Sequence, residues 1–172
     1  MFVELIATIF AGIACAGLAM FLNLLTGKRL PKWVTPVAAG VGMILVTISN
    51  EYTWFGRTTA DLPEGLEIAL TVEEQSWLRP WTQIRPYPKR FAAVDTGTAR
   101  TNDNAPDQVL ADLYFFGRWS PVNRAPMLFD CTGNRFALLI DGAEFDAAGN
   151  IANATWQAMP PDDPILTTAC GK

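Results

Sequence analysis

The sequence predicts a membrane protein: an N-terminal two-helix transmembrane hairpin followed by a small soluble domain that is mainly antiparallel β, or β-rich α+β. Long apolar runs occupy residues 2–25 and 34–49, the short basic loop 26–33 separates them, and beyond residue 50 prolines, acids and turn residues become frequent. The expected division is a hairpin over residues 1–55, with helices at about 2–25 and 34–54, and a β-rich domain over 56–172.

A helix needs about 20 apolar residues to cross the hydrocarbon core. Residues 2–25 meet that length with only Glu4 near one end and Asn23 near the other. The second run reaches it when extended to residue 54, with Trp33 in front and Tyr52, Trp54 and Phe55 behind as headgroup-level anchors. Pro36 falls in the first turn, where its missing N–H loses no intrahelical partner. A cleaved signal peptide calls for a positively charged start and a shorter apolar core, whereas the only early charge is Glu4. Gly12-Ile13-Ala14-Cys15 only faintly matches a lipoprotein cleavage box, so Cys15 reads first as a small thiol in a membrane helix and second as a lipidation site.

Lys28, Arg29 and Lys32 crowd the connecting loop, while Arg57 stands against Glu51, Asp61, Glu64 and Glu67 after the second helix. Basic loops stay cytoplasmic, so both termini are expected in the periplasm of a bacterial inner membrane. Small residues recur at four-residue spacing: Ala7 and Ala11, Gly12 and Ala16, and Ala38 and Gly42. Such faces let helix backbones approach closely, either within the hairpin or toward other membrane helices. No ionisable residue lies near the centre of either run, which speaks against an ion or proton path.

The roughly 120 residues that remain suit one domain. From residue 50 onward ten bases stand against sixteen acids, a net charge of -6. That balance argues against nucleic acid as a partner and against tight docking on anionic lipid. Cys131 and Cys170 are the only cysteines outside the apolar runs, and in an oxidising compartment they are expected to form a disulfide that ties down the proline-rich tail. Leu66, Ile68, Leu70 and Val72 alternate as one face of a half-buried strand. Further strands are expected at residues 90–94 and 109–119, the latter opening near Asp107 with helix as the alternative. A hairpin is expected to join residues 127–130 to 135–140 through Cys131-Thr132-Gly133-Asn134. A last strand is expected at 151–157, and residues 95–106, rich in Thr, Asn, Asp and Gly, read as an exposed loop.

Residues 77–90 interleave Trp77, Arg79, Trp81, Arg85, Tyr87 and Arg90 with prolines and read as irregular. Aromatics with arginines are enriched in protein interfaces, so this segment is either a contact surface or packing over a sheet edge. The chain contains no histidine, which removes the commonest general base, the usual triads and most zinc sites. Asp141, Glu144 and Asp146 fail the spacing of a helix-loop-helix calcium site and read as a solvated turn. No catalytic residue, metal site, cofactor or small-molecule substrate is therefore expected. The favoured class is a non-catalytic accessory, structural or assembly subunit of a larger inner-membrane complex, touching the lipid bilayer and integral membrane partners. A membrane-anchored periplasmic binding or sensing module is the alternative, and an enzyme with an unrecognised carboxylate or cysteine site comes third.

Overall fold

The two apolar runs form unbroken helices, α1 (Phe2–Leu25) and α2 (Val34–Ala60), in a computed structural model that describes residues 2–102, 105–139 and 155–171. Both are long and apolar enough to cross a membrane. Helix α1 keeps the expected limits, but α2 runs six residues beyond 54, because no residue before Pro63 excludes the helical conformation. The first compact unit accordingly extends to Ala60.

The helices pack against each other along a seam of small residues. Gly12 and Gly42 are buried. A Cβ on Gly42 would lie 2.5 Å from Cys15 Sγ and 3.3 Å from the Ala11 carbonyl oxygen, so a larger side chain forces the backbones apart. At Gly12 the obstacle is the flexible end of Met43, which can move aside. Ala11, Ala16 and Ala38 are half-buried, while Ala7 is exposed. Within the helices themselves charge is confined to the end away from the connection, where Glu4 approaches Arg57 at 3.7 Å and Glu51 is buried. At the other end Asn23 closes the connection. Its carbonyl accepts from the Lys28 N–H at 2.7 Å and its side-chain oxygen from the Leu30 N–H at 3.0 Å. Gly27 and Lys28 both adopt left-handed backbone there, with φ of 72° and 60°, and the polar Asn23 within an apolar run is thereby accounted for.

The second unit (Asp61–Lys172) is a six-stranded antiparallel meander whose strand order follows the chain. Its strands are β1 (Leu66–Glu74), β2 (Tyr87–Asn102), β3 (Ala105–Gly117), β4 (Ser120–Asp130), β5 (Arg135–Leu138) and β6 (Gln157–Ala158). Two short helices, α3 (Pro80–Ile84) and α4 (Pro164–Ala169), complete it. The hairpin through residues 131–134 forms as expected, with Asn134 supplying the left-handed position at φ 47°. Of residues 109–119, those up to Gly117 belong to β3 rather than to a helical turn, and Arg118 and Trp119 form the turn into β4. The expected strand at 151–157 and the acidic turn at 141–146 fall largely outside the described residues.

Several expectations are corrected. Residues 95–106 are no simple loop: β2 runs to Asn102 and β3 starts at Ala105. Asp95 pairs with Asp112 but Arg100 with Leu110, so residues 96–99 bulge. Gly97 lies in that bulge against Gly65, whose φ is 94° and whose carbonyl accepts from the Thr96 N–H at 2.8 Å. Polar composition there reflects solvated strand faces rather than absence of pairing. Within β1 a register shift between Ile68 and Leu70 turns Ala69 toward the core, leaving Ile68, Leu70 and Val72 exposed. The segment at 77–90 is ordered, containing α3 and the start of β2.

The main core cluster lies on one sheet face, where Ala92, Val94, Ala111, Leu113, Met127 and Phe129 pack with Leu166 and Ala169 of α4, while Phe91, Ala93, Leu128 and Ala137 are buried at alternating positions. The tail is therefore structural rather than loose. Helix α4 starts because Asp163 caps it, accepting from the Ile165 N–H at 2.8 Å, and Pro164 follows with its φ preset. Its C-terminal Cys170 is joined to Cys131 by a disulfide with a Cα separation of 5.9 Å.

Two stability outcomes follow from this packing. Gly42→Leu is expected to lose about 1–3 kcal/mol through overpacking, whereas Gly40→Ala, with nothing within 4 Å of its Cβ, should be neutral or stabilising. Unfolding followed by circular dichroism in detergent distinguishes them. Cys170→Ser opens the 39-residue separation spanned by the crosslink and should cost about 4 kcal/mol in denaturant unfolding.

Candidate functional site

Three regions of the second unit place chemically active or unsatisfied surface together. The first is the edge strand β1 and the groove beside it. Ile68, Leu70 and Val72 are about 40% exposed, and β1 is the sheet's first strand, with no outer neighbour among the described residues. Beside it a cavity of about 440 Å³ is lined by Leu70, Val72, Phe115, Asn123 and Ile165 among others. This is core-type surface that the six-residue α4 is too short to cover.

The second is a polar basin of about 420 Å³, bounded by Asp95, Arg100, Asp112, Tyr114 and Arg124. Asp95 and Asp112 are cross-strand partners, an arrangement that is unfavourable for like charges. Arg124 answers it, donating to Asp112 Oδ2 at 2.6 Å. The Asp112 hydrogen bond and charge, with a lesser contribution from Asp95, favour the charged guanidinium still further. Such a basin can hold a small polar molecule, but it has no nucleophile with a positioned base. Among the described residues no three or more metal-ligating side chains of Cys, Asp or Glu converge.

The third is the turn that carries the disulfide. Asp130 accepts from the Gly133 N–H at 2.7 Å, from Arg135 Nε at 2.7 Å and from the Thr132 hydroxyl at 3.0 Å. Burial pushes its carboxyl up, but these three donors outweigh burial and hold it below the usual carboxylate range. Arg135 also lies over the Trp156 ring, 4.6 Å from its centroid. The group fixes the turn that delivers Cys131 to Cys170, so its work is positional.

The sequence-selected residues separate into different roles. Tyr87 is fully buried and its hydroxyl accepts from Arg79 Nη1 at 3.0 Å, so this pair serves the fold. Trp81 is half-buried, while Trp77, Arg85 and Arg90 are exposed. Lys28, Arg29 and Lys32 are exposed in the α1–α2 connection. The polar basin was not visible in sequence, because Asp95, Asp112 and Arg124 meet only through strand register. No known protein family matches this chain, and neither curated proteins nor solved structures yielded a similar protein. The class defined by its own geometry is a pair of long apolar helices joined to an antiparallel β meander closed by a disulfide.

The Asp130 cluster has a definite pH signature. Its folded pKa lies below the unfolded value of about 3.9, so its contribution is full above that value and is lost as pH falls through the folded pKa. Asp130→Asn should lose about 2 kcal/mol near neutrality and lose less toward low pH, as read from unfolding free energies against pH. Arg124→Gln should lower the unfolding midpoint at low salt, and less so at about 1 M salt, where the screening length is about 3 Å.

Proposed function

We propose that this chain is a non-catalytic accessory or assembly subunit of a bacterial inner-membrane complex. The hairpin spans the bilayer with both termini periplasmic, and the β domain engages an integral membrane partner or its exported part. The observation that carries the proposal is the exposed apolar pair Leu70 and Val72 of edge strand β1 beside the open groove. A soluble sheet left with an unpaired edge is normally blunted or covered, and an added strand would satisfy the edge while its alternate side chains enter the groove. Basic residues crowding the 26–33 loop, against acids after α2, support the orientation. The disulfide supports the oxidising side for the domain.

The topology is tested with an impermeant maleimide on a Cys15→Ser background. Gln83→Cys should label in intact spheroplasts and Lys28→Cys only after lysis. Labelling of Lys28→Cys from outside would overturn the orientation. For the contact surface, a photo-crosslinking residue at Val72 should give one discrete higher-mass product, with none from Arg100. Equal and diffuse crosslinking from both positions would sink the assignment of β1.

A further inference from the structure

The exposed turn and helix between β1 and β2 do something that β1 does not. Trp77, Leu78 and Ile84 are 80%, 69% and 89% exposed, far more than a groove or flat interface requires of its apolar residues. They protrude, and the backbone beneath them is fixed. Thr82 is fully buried; its hydroxyl accepts from the Ser76 N–H at 2.9 Å and lies 2.7 Å from the Arg79 carbonyl to which it donates. The Arg79 to Tyr87 hydrogen bond anchors the same turn to the sheet. The three apolar side chains are thus held outward rather than merely unpacked.

Charge is segregated around them. From residue 75 to residue 94 there are four bases and no acid; Lys89 pairs with Glu74 of β1, so the local excess of positive charge rests on Arg79, Arg85 and Arg90. The remainder of the second unit carries all fifteen of its acids against five bases. The domain's overall negative charge therefore does not describe this tip, since fields fade over about 8 Å at physiological salt. Protruding Trp, Leu and Ile among bases match the headgroup and acyl boundary of an anionic bilayer, where amphipathic aromatics and bases are favoured.

We infer that the tip formed by Trp77, Leu78 and Ile84 inserts into the interfacial zone of a bilayer containing anionic phospholipid, giving the domain a second attachment to the membrane. This rests on the proposal that α1 and α2 span that membrane. At ~3.4 Å per residue the chain from Ala60 to Trp77 reaches at most about 60 Å, so tethering keeps the tip at a high effective concentration beside the surface. Weak insertion is then sufficient. A convex apolar tip suits lipid, which moulds around it, better than a protein surface, which needs a matching pocket.

The test uses the full chain, Cys15→Ser, in vesicles of phosphatidylcholine with or without phosphatidylglycerol, with a nitroxide at Ile84→Cys or, separately, at Leu18→Cys in α1. Oxygen and a water-soluble nickel chelate report depth. Site 84 should become oxygen-rich and several-fold less nickel-accessible when phosphatidylglycerol is present, and Arg85→Glu with Arg90→Glu should reverse this. Retention of the Cys131–Cys170 disulfide checks that the variants fold. If site 18 is immersed and site 84 stays in water with both lipids, the insertion is overturned while the spanning hairpin stands. If site 18 is itself in water, the hairpin reading fails and this inference falls with it. Immersion equal in both lipids overturns the anionic preference. Protection of site 84 only after co-reconstitution with membrane proteins makes the tip a protein contact and overturns the lipid assignment.

Discussion

The crosslink between Cys131 and Cys170 is the constraint on which the β domain depends. One face of the meander presents Ala92, Val94, Leu113, Met127 and Phe129, and among the described residues the element packed on them is α4, a helix of six residues. A helix that short does not persist alone, because nucleation is costly and little propagation follows. Asp163 and Pro164 start it, and Leu166 with Ala169 give it something to bury. The disulfide keeps it local to the sheet, at the end where the β4–β5 turn is already fixed by Asp130. Remove the covalent bond and the core loses its cover together with the end of the chain.

That dependence links structure to location. In the topology proposed above, a fold held by a disulfide lies where thiols are oxidised, and the basic loop between α1 and α2 gives a separate reason to place the following domain outside. The two arguments rest on different residues and different physics, yet they favour the same side of a membrane. The hairpin seam adds a third consideration. Gly42 meets Cys15 and Ala11 so closely that the small-residue positions Ala11, Gly12, Ala16, Ala38 and Gly42 are engaged or half-buried within the hairpin. The face containing Ala7 stays open.

Much of this was legible in sequence wherever a local signal existed. Apolar length marked both helices, the Thr-Gly-Asn turn marked the β4–β5 hairpin, and two cysteines in the domain left one pairing. What sequence hid was non-local. The segment Pro164–Ala169 is too short to show a helical period, and it packs on β1 and β2, strands that lie sixty or more residues earlier. Alternation in β1 suggested that Leu66, Ile68, Leu70 and Val72 all face inward, but a bulge after Ile68 sends Ala69 to the core instead. The basin of Asp95, Asp112 and Arg124 exists only because β2, β3 and β4 fall in one register. Tyr87 and Arg79 resembled surface partners of Trp77 by composition, and only packing reveals them as the anchor beneath it.

The exposed edge also has a selectivity built into its charges. If β1 paired antiparallel with a second copy of itself, a register centred on Leu70 would bring the two Leu70 side chains together, an apolar match that invites association. Glu67 and Glu73 flank that contact on each copy, so self-pairing crowds like charges on either side of it. Like charges directly opposite are destabilising, and charge on an edge strand is a recognised guard against self-pairing. A partner strand bearing Lys or Arg at those positions meets no such penalty and gains two opposite-charge pairs in addition to the apolar contact. The edge can therefore stay sticky toward a suitable partner while discouraging its own copy, as the proposed contact role requires.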